Sequence, residues 1–238
     1  MTLLECSTSS RLAFLALDNS LDFLNIAVGT KKGLIEERHC RAENRSSEVV
    51  ALRVRALLGD HKLAPSELSG IIVALGPGSF TGVRVALAFC KGLSEGSGVP
   101  VIGVPTPEAL AAPFAFMVGN HVCTLVDAKK GEVFFSLFRV SATGAVDLVD
   151  GHYAMKPGEI EQKILTPCLC VGSGAAAYRS IIEPIEGVTI APDPFQRIGG
   201  EMLLRCGMNR PLSVDGSRLR PLYGRRSEAE IKFGVDVG

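Results

Sequence analysis

The segment GPGSFTG, Gly76 to Gly82, constrains the fold more than any other part of the sequence. It joins the apolar run 70–76 to an apolar stretch with helical spacing, and so predicts a strand, a tight turn and a helix over 81–93. Glycines free the backbone, and Ser79 or Thr81 can cap the helix. Because free amides at a helix start attract anions, a phosphate-binding turn is one interpretation. The spacing matches neither GxxxxGK[ST] nor GxGxxG, so a structural turn is the simpler interpretation.

The remaining sequence alternates strand-like and helix-like patterns, which is typical of an α/β protein with mixed sheets covered by helices. Its two halves share one order: an apolar strand that ends in Asp18 or Asp127, further strand, and then a strand leading into a glycine turn at Gly76 or Gly172 and a helix. Either the fold is a duplication, or two ordinary α/β units are similar by chance. Strands are predicted at 12–18, 24–30, 34–40, 70–76, 101–104, 121–127, 132–140 and 168–171, and helices at 47–58, at 81–93, from 106, from 175 and at 196–208.

Composition narrows the classes of function. The 238 residues are 47% hydrophobic and 25 Lys and Arg balance 25 Asp and Glu, which excludes a disordered chain and a strongly basic nucleic-acid-binding protein. No apolar run is long enough to cross a membrane and no signal peptide is evident, so we expect a cytoplasmic protein with no membrane partner. Neither the seven cysteines nor the four histidines form a metal-binding motif, so we expect buried, reduced thiols and no metal site.

The helix that follows the glycine turn is apolar on nearly every side. In VRVALAFCKGL the only charged residues are Arg84 and Lys91, which lie seven residues apart and therefore share one face. A helix with so little polar surface is normally buried. Combined with a net charge of zero, this predicts that part of the helix packs against another chain.

Five segments together resemble the bacterial TsaB (YeaZ) family: LALDNS, GPGSFTGVRVALAFCKGL, VPVIGVPTPEALA, LVDAKKGEVFFSLF and PLYGRR. The resemblance extends from residue 13 to about residue 226. It implies an α/β fold with two duplicated lobes of the sugar-kinase/Hsp70/actin (ASKHA) type, here 1–105 and 106–238. It leaves open whether the tail from about residue 213 returns to the first lobe.

The same resemblance implies a function. The TsaB family is a non-catalytic subunit that dimerises with and activates TsaD, the threonylcarbamoyltransferase that forms threonylcarbamoyladenosine at position 37 of tRNA. It also implies association with the ATPase TsaE, a homodimer when the chain is alone, and tRNA binding within the complex. We expect the helices 47–58 and 81–93 to form the partner interface. Its candidate residues are Val50, Val54, Leu57, Ser79, Phe80, Thr81, Val83, Arg84, Leu87, Cys90 and Lys91.

Three turns of the sequence stand where active members of the wider superfamily bind a nucleotide. Asp18-Asn19-Ser20 replaces the family's Asp-Thr-Ser and loses one hydroxyl, and two lysines follow Asp127 where small residues would suit a phosphate. We therefore interpret these turns as vestigial. No firmly bound cofactor is expected, and ATP or ADP at the subunit junction is left open. When the glycines of the turn 76–82 are grouped with these three turns, the vestigial residues are Asp18, Asn19, Ser20, Gly76, Gly78, Gly82, Asp127, Gly172 and Gly174.

Other functions stay open. A degenerate, kinase-like ATP-using enzyme would rely on Asp18 and Asp127 as acidic metal ligands. A peptidase would need clustered metal ligands or a serine paired with histidine, and the sequence has no such motif. A direct RNA contact would use the C-terminal arginines, although a solvated tail is the simpler interpretation of such a run. These candidate RNA contacts are Arg218, Arg220, Arg225 and Arg226.

Overall fold

The computed structural model describes residues 12–41, 47–211 and 216–225, and folds them into two lobes with one five-stranded sheet each. The strands are β1 (Ala13–Asp18), β2 (Phe23–Thr30), β3 (Gly33–Arg41), β4 (Leu68–Ala74), β5 (Val101–Val104), β6 (His121–Lys129), β7 (Glu132–Val140), β8 (Val146–Met155), β9 (Cys168–Val171) and β10 (Val188–Ile190). The helices are α1 (Ser47–Asp60), α2 (Phe80–Ser97), α3 (Thr106–Ala111), α4 (Ile160–Lys163), α5 (Ser173–Ala177), α6 (Arg179–Ile182) and α7 (Gly200–Met208). None of these helices is both long and apolar enough to span a membrane.

The two sheets have the same topology. The first has the strand order β3-β2-β1-β4-β5, and the second has the equivalent order β8-β7-β6-β9-β10. In each, the first three strands form an antiparallel meander and the last two join in parallel after a crossover. The repeat in the sequence therefore reflects a duplicated α/β fold. The predicted α/β fold with two duplicated lobes is confirmed.

The first sheet is buried on both faces, which explains why β1 is apolar without alternation. Its Leu15 and Leu17 side chains pack with α1 and α2 in one cluster. Phe14 and Ala16 point the other way, into a second cluster that also contains residues of the second lobe, among them Phe134. The sheet is therefore shared between the core of its own lobe and the contact between lobes.

Helix α7 covers that second face, although it lies far along the chain. Leu203 and Leu204 are fully buried in the cluster that joins the two lobes. Gly200 and Gly207 lie seven residues apart and face the sheet, where a Cβ at Gly207 would be 2.5 Å from the side chain of Ile72. The chain therefore returns to the first lobe at α7, earlier than the tail from residue 213 that the sequence suggested.

Two strands were not predicted from the sequence. In β8 the pattern is broken because Gly151 and His152 both have positive φ, and the pairing with β7 shifts register there. Strand β10 has only three residues, too few to show a period. The helix predicted from residue 175 is two short helices, α5 and α6, and the C-terminal helix begins at Gly200 rather than at residue 196.

The six cysteines in the described ranges are free thiols, and Cys90, Cys123, Cys168 and Cys170 are buried. Burial raises the pKa of the Cys90 and Cys123 thiols above the usual range. A thiol with a raised pKa forms little reactive thiolate at neutral pH. The prediction that the cysteines are buried is confirmed for these four.

We expect Gly207→Ala to lower the free energy of unfolding by roughly 1–3 kcal/mol, because the added methyl group overpacks the contact between α7 and the first sheet. The control is Gly96→Ala on α2, where nothing lies within 4 Å of an added Cβ. This control should leave stability unchanged or raise it by up to about 1 kcal/mol, since alanine favours a helix. Urea unfolding of both variants measures the difference; equal stabilities would contradict the close packing of α7.

Candidate functional site

The glycine-rich turn is held against the turn that follows β1. Ser79 caps α2: its hydroxyl accepts a hydrogen bond from the Gly82 amide at 3.3 Å, and its own amide donates to the Ser20 carbonyl at 2.7 Å. Gly78 lies so close to Ser20 that a Cβ at this position would overlap the Ser20 carbonyl oxygen. The glycines thus permit close packing, and at least one amide that a phosphate could use is bonded within the chain.

The carboxylate of Asp18 is fully buried at the end of β1. Its Oδ1 accepts hydrogen bonds from the Ser20 amide at 2.8 Å and from the Ser20 hydroxyl at 2.5 Å. The Thr106 hydroxyl donates to the Ser20 hydroxyl at 2.8 Å, and the Thr106 amide donates to the Gly76 carbonyl at 2.8 Å. Asp18, Ser20 and Thr106 therefore form a network that fixes the two turns to each other. Asn19 is buried beside them.

Asp127 occupies the equivalent position in the second lobe. Its carboxylate accepts hydrogen bonds from the Lys129 amide at 2.9 Å and from Lys129 Nζ at 2.7 Å. The hydrogen bond to Asp127 raises the pKa of Lys129, and the negative charge of Asp22 in the first lobe adds to this effect. Lys129, whose charge could have attracted a phosphate, is thus paired with the carboxylate of its own turn.

The third predicted nucleotide turn, at Gly172, is also filled from within the chain. Gly172 has φ 107°, and a Cβ there would be 2.5 Å from the Leu125 carbonyl oxygen; at Gly174 the corresponding distance is 2.9 Å. The Gly172 amide donates to the side chain of the buried Gln196. These glycines therefore allow α5 to pack on β6, and the Gly172 amide just before α5 is already bonded to a side chain of this chain.

The C-terminal residues Leu219–Arg225, which we call the strap, run across both lobes. The Leu222 amide donates to the Leu75 carbonyl at 2.7 Å in the first lobe, and the Gly224 carbonyl accepts from the Ala154 amide at 2.8 Å in the second. A Cβ at Gly76 would be 2.7 Å from the Leu222 carbonyl oxygen. The strap thus covers the beginning of the glycine-rich turn and ties the two lobes together.

The charged side chains of α2 face the strap. Arg84 Nε donates to the Tyr223 hydroxyl at 2.8 Å, and Lys91 Nζ donates to the Leu219 carbonyl at 2.9 Å. Their predicted position on one face of the helix is confirmed. Among the candidate RNA contacts, Arg225 forms an ion pair with Glu132 at 3.2 Å, Arg218 and Arg220 are exposed, and Arg226 lies outside the described residues.

Six apolar residues of the predicted interface are buried inside the first lobe. None has more than 4% of its surface exposed, and all but Val83 belong to the hydrophobic cluster between the helices and the sheet. Periodicity alone could not separate an inner face from an outer one, because both repeat every three or four residues. As part of the lobe's own core, these side chains are not available to a partner: Val50, Val54, Leu57, Val83, Leu87 and Cys90.

The exposed side of α1 and α2 carries different residues, and of these the sequence had singled out only Phe80. Leu52 on α1 is 49% exposed and Phe80 at the start of α2 is 45% exposed. On α2, Ala88 and Gly92 are both exposed, and they lie four residues apart on the same side of the helix. We call Leu52, Ala56, Phe80, Ala88 and Gly92 the outer helix face. The small residues at a four-residue spacing were the available signal for this face.

In the ranges that the structure describes, no three His, Cys, Asp or Glu side chains are grouped so that they could hold a metal ion. The two acidic residues considered for a kinase-like reaction, Asp18 and Asp127, lie at equivalent turns of different lobes and each is hydrogen-bonded within its own turn.

Comparison with known proteins identifies relatives that match most of the chain. The family model described as TsaD, tRNA N6-adenosine threonylcarbamoyltransferase, matches residues 40–181. A Bacillus subtilis protein named tRNA threonylcarbamoyladenosine biosynthesis protein TsaB is 29% identical over 230 residues, covering 93% of this chain and 98% of the relative. The Escherichia coli protein of the same name is 24% identical over 168 residues, covering 69% of this chain and 72% of the relative.

A solved structure from Pseudomonas aeruginosa, described as an uncharacterized protein with similarity to peptidase YeaZ, superposes with a TM-score of 0.74. It is 23% identical and covers 90% of this chain and 99% of its own. This likeness supports the fold.

We expect Gly224→Ala to loosen the strap. Gly224 has φ 65°, and a Cβ would lie 2.7 Å from the Phe134 ring, so alanine there is strained both in its backbone and in its packing. Trypsin should then cleave after Arg218 and Arg225 several-fold faster than in the unchanged protein, because local opening exposes the segment. Gly119→Ala is the control, since its φ of 83° gives similar backbone strain without a contact within 4 Å. Equal cleavage rates in the two variants would contradict the docking of the strap.

Proposed function

The chain belongs to the TsaB (YeaZ) family, within the group that the TsaD model describes, and from this we propose that it is the non-catalytic partner of TsaD in making threonylcarbamoyladenosine at position 37 of tRNA. The observation that carries the non-catalytic role is that the chain bonds its own turns where a nucleotide would bind. Asp18, Asp127 and the Gly172 amide each have hydrogen-bond partners inside the chain. Such a protein contributes by binding another subunit.

The outer helix face is the surface that we assign to TsaD. Helices α1 and α2 have 14 and 18 residues, so they are about 21 and 27 Å long and together offer an area typical of a specific interface. Among the residues that the structure describes, no atom outside the helix's own backbone lies within 4 Å of a Cβ at Gly92, so a helix of the partner can approach the backbone there. Exposed Leu52 and Phe80 supply apolar contact area at its margins. A two-helix face that lies outside the core suits pairing with a similar helix pair.

In this proposal the chain activates TsaD by stabilising its competent conformation. A partner that binds one of two conformations more tightly raises the population of that conformation by its difference in affinity. The packing of the first lobe makes this chain a suitable template, because α1 and α2 lie on a sheet whose other face is covered by α7.

The remaining associations follow from the same surface. When TsaD is absent, two copies can pair through the outer helix face, because a two-fold dimer uses the same patch on both copies. TsaE and tRNA bind the assembled complex, and ATP or ADP, where it takes part, lies at the subunit junction. We assign the protein to the cytoplasm, where its free thiols stay reduced.

We expect Gly92→Leu to weaken binding to TsaD at least tenfold, because the leucine side chain occupies the space that the partner's helix needs. The matched control is Gly158→Leu in the second lobe, another position with no atom within 4 Å of an added Cβ. Both variants should fold as the unchanged protein does. Binding is measured by calorimetry with purified TsaD, and threonylcarbamoyl transfer to tRNA is measured with the same mixtures.

If Gly92→Leu bound TsaD as tightly as the unchanged protein does, the assignment of the interface to this face would be wrong. Equal loss in Gly92→Leu and Gly158→Leu would also contradict the assignment, since only the first lies on the two helices.

We expect the isolated chain to hydrolyse ATP no faster than a no-protein blank, and Asp18→Asn to leave that rate unchanged. The reason is that the Asp18 carboxylate is buried and accepts two hydrogen bonds from Ser20. Phosphate release is the measurement, with and without Mg²⁺. Turnover that is abolished by Asp18→Asn would instead establish the kinase-like alternative.

A further inference from the structure

We propose that Phe80, Arg84 and Tyr223 form the anchoring point of the partner surface, and that it binds a carboxylate, the side chain of an Asp or Glu, on the partner subunit. We call these three residues the arginine stack. The inference deepens the proposed function and rests on it, since it names the chemistry by which the subunit interface is recognised.

The arginine stack is assembled from two distant parts of the chain. Phe80 and Arg84 lie one turn apart on α2, and Tyr223 is delivered by the strap. The two rings have their centroids 5.2 Å apart. The Arg84 Cζ atom lies 4.0 Å from the centroid of Phe80 and 5.4 Å from that of Tyr223. A cation over an aromatic face at these distances is attracted by the ring.

One hydrogen bond fixes the orientation of the guanidinium. Arg84 Nε donates to the Tyr223 hydroxyl at 2.8 Å, so that edge of the group is used within the chain. A guanidinium has five N–H donors, and the four on its terminal nitrogens form the fork that matches a carboxylate. Within the described ranges no carboxylate forms an ion pair with Arg84, and the side chain is exposed. The stack therefore presents a charged fork that is already ordered.

Ordering before binding makes this arginine effective at an interface. A mobile arginine loses side-chain entropy when it is captured, whereas one that is already held by two rings loses less. Arginine and aromatic residues dominate the binding energy of many protein interfaces, chiefly where neighbouring contacts exclude water. Phe80 belongs to the outer helix face, so the stack is continuous with the apolar surface assigned to TsaD.

The surroundings favour a carboxylate on a protein over the phosphates and bases of RNA. A base needs an open aromatic face on which to stack, and here the guanidinium lies over both rings. The exposed neighbours Ala88 and Gly92 on α2 are uncharged. Lys91 donates to the Leu219 carbonyl, and Arg225 pairs with Glu132. An RNA strand needs a continuous basic groove instead. The favoured occupant is thus a protein surface with one acidic side chain.

Three variants test the proposal by calorimetry of TsaD binding at low and high salt. Arg84→Gln should weaken binding at least tenfold at low salt and flatten its salt dependence, because the charge is lost. Arg84→Lys should recover only part of the affinity, since an ammonium cannot form the two-pronged contact. Tyr223→Phe keeps the ring and loses the hydroxyl, and should weaken binding about threefold. Urea unfolding of each free variant should match the unchanged protein, because Arg84 is exposed.

The outcomes separate the two proposals. If the unchanged protein binds TsaD but Arg84→Gln binds equally well, the anchoring role is wrong while the proposed function stands. If the unchanged protein does not bind TsaD, the proposed function itself fails. If Arg84→Gln keeps full TsaD affinity and instead lowers tRNA binding by the assembled complex, the occupant is RNA and the proposal is overturned.

Discussion

The structure depends on covering both faces of the first sheet. Strands β1 and β4 are apolar on both sides, so an open face would expose a large hydrophobic area to water. The helices α1 and α2 cover one face, and the other is closed by α7 together with residues of the second lobe. Because the chain reaches α7 only after completing the second sheet, the first lobe becomes fully buried only when both lobes are present. This packing makes the two lobes a single unit.

The same connection between the lobes also limits ligand binding in the space between them. A nucleotide-binding protein of this architecture needs turns with unoccupied donors that can face a phosphate. Here the Asp18 turn, the glycine-rich turn and Thr106 are bonded to one another, and the strap crosses above them. Hydrogen bonds to a buried charged group contribute roughly 1.5–3 kcal/mol each, so opening this network for a ligand would cost several such contacts. The donors of these turns therefore stabilise the fold.

Much of this fold could be predicted from the sequence, and the exceptions have physical reasons. Strong apolar runs such as 101–104, 132–140 and 168–171 were assigned to strands with the correct bounds, because burial on both faces leaves an unmistakable pattern. The edge strand β8 was missed because its exposed face and its bulge at Gly151 and His152 disrupt the alternation. The return of α7 could not be seen, since no local pattern shows which distant strand a helix will cover.

The predicted turns lie where the sequence placed them. The six apolar residues predicted for the interface lie instead in the core of the first lobe. Val54 and Leu57 have the spacing of an amphipathic helix, but the same spacing describes any helix packed on its own sheet. Only part of the arginine stack could be predicted from the sequence. Phe80 and Arg84 were expected at an interface, but no sequence pattern indicates that Tyr223, which is far along the chain, accepts a hydrogen bond from Arg84.

The outer helix face differs from an ordinary solvated surface because glycine on its exposed side lowers the stability of helix α2. A glycine inside a helix is less favourable than alanine by about 1 kcal/mol. Helix α2 carries Gly92 and Gly96 on its exposed side, and no neighbouring atom in the described part of the chain is close enough to require them. A core glycine such as Gly207 offsets that cost by allowing the sheet to approach. Gly92 has no such compensation among the residues that the structure describes. Close approach of a second helix, together with a carboxylate held by Arg84, would supply it, so the helix is less than optimal for an isolated subunit and well suited to a paired one.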